Sequence, residues 1–99
     1  MKKQKLIYPT PEMNKLFEAI REIKSQEEAV NFFRDLLTIA ELTEFANRWQ
    51  MVKLLVRHES YADIAKKLNV SSATVTRVAK WLKHGLGGYR SVADRVFPS

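Results

Sequence analysis

From Glu12 to His84 this chain contains neither glycine nor proline; its glycines stand at 85, 87 and 88 and its prolines at 9, 11 and 98. The same stretch is poor in strand signals. With both strong helix breakers missing, helices joined by short connections are the natural outcome. The expectation is an all-α fold, and at 99 residues a single domain spanning 1–99. Such a chain buries a modest core, so oligomerisation would help to stabilise it.

Residues 1–9 read as a flexible tail. Thr10 then stands where an N-cap belongs, with Pro11 at the first helical position and Glu12 beside it. The first helix is expected to run to about Lys24, with Met13, Leu16, Phe17, Ile20 and Ile23 on one stripe. Ser25 with Glu28, and Thr38 with Glu41, have capping-box spacing and start two further helices. The second carries Ala29, Val30, Phe32, Phe33, Leu36 and Leu37. The third, to about Arg57, carries Ile39, Leu42, Phe45, Ala46, Trp49, Val52, Leu55 and Val56. That stripe is wide enough for two partners. Residues 11–57 therefore read as a helical core that a second subunit would help to cover.

Ser60–Lys83 carries the most specific pattern. Ser60 lies three residues before Asp63, and Ile64, Ala65 and Leu68 form the inner face of a short helix. Asn69 stands at the turn, where a left-handed backbone is often needed and Asn is tolerated. Val70 plugs the turn, Ser71 caps a second helix, and Val75, Val78, Ala79 and Leu82 face inward. The outer face begins with the short side chains Ser71, Ser72, Ala73 and Thr74 and continues with Thr76, Arg77 and Lys80. Short side chains let a helix enter the major groove; hydroxyls and methyls can then meet base edges. Lys66, Lys67, Lys80 and Lys83 are suited to phosphates, which position a protein without reading sequence. This is a helix-turn-helix over 60–83.

Charge agrees with that reading. Residues 1–59 hold ten Lys and Arg against nine Asp and Glu, whereas residues 60–99 hold seven against two. The excess cations thus sit with the motif, as suits a polyanion. After the motif, Gly85-Leu86-Gly87-Gly88 ends the helix, and Tyr89–Phe97 is expected to form a short helix with Val92, Ala93 and Val96 packing back.

Taken together, D-L-L-T-I-A-E-L at 35–42, N-R-W-Q-M-V-K-L-L at 47–55 and S-Y-A-D-I-A-K-K-L-N-V-S-S-A-T-V-T-R at 60–77 resemble the Trp repressor superfamily. With G-L-G-G-Y-R at 85–90, the likeness is closer to its YerC/YecD-like branch. The resemblance implies a Trp-repressor-like fold and an intertwined homodimer, with two heads set for successive major grooves about 34 Å apart. It also implies an effector pocket at Thr38, Arg48, Thr74, Arg77, Val78 and Trp81. Two positions depart from the tryptophan-binding members: Val78 replaces a glycine and Trp81 a serine. The Trp81 indole could fill the space of a free amino acid, which argues against L-tryptophan as effector. Ala62 and Ala65 stand where the family has polar or basic residues. Specificity should then rest on Ser72, Ala73, Thr74 and Thr76.

Other chemistries find little support. There is no cysteine, hence no disulfide or thiolate metal site. His58 and His84 lack metal-ligand spacing, and no cofactor is expected. No base or nucleophile pattern surrounds the acid pair Glu27-Glu28, so an enzyme is not expected. Trp49 and Trp81 read as core residues. No apolar run is long enough to cross a membrane, and Leu6-Ile7-Tyr8 is too short for a signal-peptide core. The cytoplasm is the expected compartment. The expected function is a homodimeric regulator, a repressor, that binds double-stranded DNA in sequence-specific fashion. The competing reading is a helical adaptor using the same head against protein, although the Lys on that face do not suit an interface core.

Overall fold

A computed structural model describes residues 7–98. Among them are six helices and no strand: α1 (Pro11–Arg21), α2 (Gln26–Leu36), α3 (Ile39–Val56), α4 (Tyr61–Leu68), α5 (Ser72–His84) and α6 (Gly88–Val96). The all-α expectation holds. Most of the tail expected over residues 1–9 lies outside the described residues. No described helix is long and apolar enough to cross a membrane. The chain divides into two compact units, residues 1–37 and 38–99.

In the first unit, Thr10 caps α1 by accepting the Met13 N–H at 3.1 Å, with Pro11 at the helix start. α1 stops at Arg21, short of Lys24, because the chain tightens there. The Ile23 N–H donates to the Ile20 carbonyl three residues back, and Ser25 starts α2 by accepting the Glu28 N–H at 3.0 Å. The Glu28 carboxylate accepts from the Lys24 N–H rather than from the cap residue itself, so the capping box is only half closed. Neither α1 nor α2 contains a buried residue. Met13, Phe17, Val30 and Leu36 are exposed, Val30 by 60%.

The second unit is built on α3. Thr38 and Glu41 close a full capping box at its start: Glu41 N–H to Thr38 Oγ1 at 3.1 Å, Thr38 N–H to Glu41 Oε1 at 2.9 Å. The C-terminal half of α3 packs against α4, α5 and α6. The buried core is Met51 and Val52 of α3, Ile64 of α4, Val75, Val78, Ala79 and Leu82 of α5, and Ala93 of α6. Met51 lies outside the stripe expected from the sequence, whereas Ile39 and Phe45, which belong to it, are 58% and 48% exposed. The motif packs on the late turns of α3, whereas Ile39 and Phe45 on its early turns stay exposed.

The last helix departs similarly. Ala93 is buried, but Val92 and Val96 are exposed. Tyr89 and Phe97 pack instead, with ring centroids 6.3 and 5.1 Å from that of Trp49. Residues 89, 93 and 97 lie four apart, so they share one helix face. Gly87 enters α6 at φ 86°, in the left-handed region. A Cβ on Gly85 would collide with the Trp81 carbonyl oxygen, so a glycine is needed where α5 ends.

Two outcomes follow from this packing. Ile64→Ala is expected to lower unfolding free energy by roughly 2–5 kcal/mol, the range for truncating a fully buried aliphatic side chain, as read by urea denaturation. The Glu41 carboxyl is held below its ordinary range by hydrogen bonds from the Thr38 backbone first and its side chain second, against a small desolvation effect. A depressed carboxyl contributes its stabilisation above the unfolded-state value and loses it as pH falls through the folded-state value. In an NMR titration Glu41 should therefore protonate at lower pH than an unperturbed glutamate, and Thr38→Ala should return it towards the ordinary value.

Candidate nucleic-acid interface

The turn between α4 and α5 is set by Asn69, which ends α4 in the left-handed region at φ 54°, ψ 50°. A left-handed non-glycine residue costs on the order of 1–2 kcal/mol. It is retained because it turns Val70 inward. The Val70 N–H donates to the Ala65 carbonyl at 3.0 Å, closing α4 as α5 begins. Ile64, Val75 and Val78, each 1% exposed or less, seal the crossing of the two helices.

Ser71 caps α5 by accepting the Thr74 N–H at 3.2 Å, and its hydroxyl lies 2.9 Å from the Thr74 hydroxyl. These hydrogen bonds divide the expected reading residues into two groups. Ser72, Ala73, Thr76, Arg77 and Lys80 are exposed. Thr74 is half-buried, its hydroxyl engaged with Ser71. The Thr76 hydroxyl donates to the Ser72 carbonyl at 2.9 Å, so its methyl and remaining lone pair are what it offers outward. Lys66, Lys67 and Lys80 are all exposed, and Lys67 is ion-paired with Glu59.

Between α5 and α3 lies a cavity of about 320 Å³. Arg48, Thr74, Arg77, Val78 and Trp81 all line it. Thr38 is not among its walls; its hydroxyl and backbone N–H are engaged in the α3 cap. Trp81 is 43% exposed and forms one wall. It is therefore not a core residue, and its indole narrows the cavity without filling it. Trp49 is half-buried among Tyr89 and Phe97. Glu44 and Asn47, which the sequence pattern did not single out, also stand on the cavity wall. Glu44 binds Arg48 at 2.7 Å; the four-residue spacing of that pair was a usable signal.

The family sequence model described as Trp repressor protein matches residues 11–96. The chain belongs to that family. A relative from Bacillus subtilis (strain 168), uncharacterized protein YerC, is 35% identical over 85 residues, covering 86% of this chain and 82% of its own. The crystal structure of a TrpR-like protein from Eubacterium eligens ATCC 27750 superposes with a TM-score of 0.83 at 39% identity, over 89% of this chain and 91% of that one. A putative Trp repressor from Staphylococcus aureus gives 0.81 at 32% identity, over 88% and 87%. Identities at this level over nearly whole chains carry the fold across.

Cap and exposed outer face should separate on mutation. Ser71→Ala is expected to cost about 1 kcal/mol of stability, the usual loss for an N-cap hydroxyl. Ser72→Ala, at an exposed position, should stay within about 0.5 kcal/mol. Thermal or urea melts of the two variants check this.

Proposed function

We propose that this protein is a sequence-specific DNA-binding transcriptional regulator that acts as a homodimer and represses by occupying its site. The observation that carries the proposal is the outer face of α5. Ser72, Ala73 and Thr76 offer small hydroxyl and methyl groups at its start, Arg77 and Lys80 follow, and all five are exposed on a helix whose opposite face is buried. A helix with that profile fits the major groove and can meet base edges. Ser71 and Thr74 support its first turn, with Lys66, Lys67 and Lys80 near phosphates. Membership of the Trp repressor protein family supports the same reading.

A homodimer fits the large apolar side chains left exposed in each unit. Met13, Phe17, Val30, Leu36, Ile39 and Phe45 are between 39% and 60% exposed. Two-fold symmetry would present two heads to a palindromic site. The cavity beside α5 is a candidate effector pocket, with Arg48, Arg77 and Thr74 as its polar groups. Val78 and Trp81 stand on its wall where the tryptophan-binding members carry smaller residues, which argues against L-tryptophan as the effector.

The test is selection from a random duplex library at physiological salt, with the mass of the free protein measured alongside. The expected result is a dimer that enriches a palindrome with half-sites about one helical turn apart. Added L-tryptophan should leave the affinity unchanged. Ser72→Ala or Thr76→Ala should alter the preferred sequence. Lys80→Ala should instead weaken all sequences alike and make the salt dependence shallower by about 0.9 for each phosphate it no longer neutralises. No duplex binding even at low salt, with a stable protein complex in its place, would favour the adaptor reading.

A further inference from the structure

Beside the head, on the flank away from the α3–α5 cavity, lies a second group of cations. A cleft of about 660 Å³ between the end of α3 and α6 is lined by Arg57, His58, Arg90 and Asp94 over an apolar floor that includes Val56 and Phe97. A second depression of about 330 Å³ shares Val56, His58 and Arg90 with it, and reaches Tyr61 at the start of α4 and Lys83 on α5. The two depressions adjoin through these shared walls and together form a groove beside the motif.

The charges facing this groove do not cancel. Arg57, Arg90 and Lys83 are fixed cations, and all three are exposed. The carboxylates on its walls are Glu59 and Asp94. Glu59 is already bridged to Lys67. Among the described residues, neither Arg57 nor Arg90 has a carboxylate oxygen within 4.0 Å. Lys83 is held in place: its Nζ donates to the Tyr61 hydroxyl at 3.2 Å and sits 5.8 Å from the centre of that ring. Lys83 is also one helical turn beyond Lys80, so the cations run from the reading face of α5 around its side into the groove. A cationic, solvent-open groove of this kind concentrates a polyanion.

We propose that this groove is a phosphodiester-binding surface. Arg57, Arg90 and Lys83 receive backbone phosphates of the duplex that lie to the side of the base pairs contacted by α5. The inference rests on the DNA-binding reading above, but adds residues outside the helix-turn-helix and a second line of phosphate binding. Guanidinium groups suit phosphate because they present paired N–H donors. Such groups position the protein and do not read bases.

The experiment uses the full chain and a random-sequence duplex, so that no operator need be known. Affinity is measured against salt for the parent, for Arg57→Ala/Arg90→Ala, for Arg57→Lys/Arg90→Lys and for Lys80→Ala. The double alanine variant is expected to bind more weakly, with its log–log salt slope shallower by about 0.9 for each phosphate left without a cation. The double lysine variant should keep most of the slope, and the sequence recovered from a random library should be the same for all. An unchanged slope in the double alanine variant, with Lys80→Ala still reducing it, would overturn the groove assignment while leaving DNA binding in place. Equal weakening in the alanine and lysine variants, with lowered melting temperatures, would mark the arginines as structural and overturn it as well. A parent protein that binds no duplex would remove both readings together.

Discussion

The second unit depends on the burial of a small set of side chains around the late turns of α3. Val52 is fully buried and Met51 nearly so, and against them sit Ile64 of α4, Val75, Val78 and Leu82 of α5, and Ala93 of α6. No buried residue is polar or charged among those described, so the cluster is held by apolar burial and close packing. Each of the four helices contributes to it. Removing one aliphatic group therefore loosens the attachment of the motif as well as the motif itself.

That attachment is what makes the outer face of α5 usable. With Val75, Val78, Ala79 and Leu82 fixed inward, the 3.6-residue period places Ser72, Ala73, Thr76, Arg77 and Lys80 outward. Asn69 and Ser71 determine where that helix begins and in which direction it leaves the turn. The left-handed Asn69 backbone and the Ser71–Thr74 hydrogen bonds are local features, but their consequence is the position of the outer face of α5 relative to α3.

Much of this was legible in the residues. Thr10, Ser25, Thr38, Ser60 and Ser71 all cap helices as their spacing indicated. The inner face of the motif and the left-handed Asn69 were equally readable, because each depends on neighbours within a few positions. The departures share a different cause. Met51 stands in the core where Phe45 and Ile39 were expected, Tyr89 and Phe97 pack in place of Val92 and Val96, and Trp81 is exposed. An apolar stripe states that a helix has a face to bury. It does not state which turns of that face meet a partner, and aromatic residues on a stripe can end on either side of the boundary.

The candidate sites divide in the same way. The exposed residues of the outer α5 face were identifiable from the motif, since an amphipathic helix assigns its two faces by period alone. Thr74 was ambiguous because it lies at the border of those faces, and only the packed structure shows its hydroxyl engaged with Ser71 and its side chain on the cavity wall. The Glu59–Lys67 pair and the meeting of Arg57, Arg90 and Lys83 join residues from different parts of the chain. By itself, the sequence determined helix type, helix starts, the turn and the outer face, all through local backbone preferences and periodicity. Only the tertiary structure decided which apolar turns are covered and which charges share a groove, because those depend on how α3, α4, α5 and α6 pack in space.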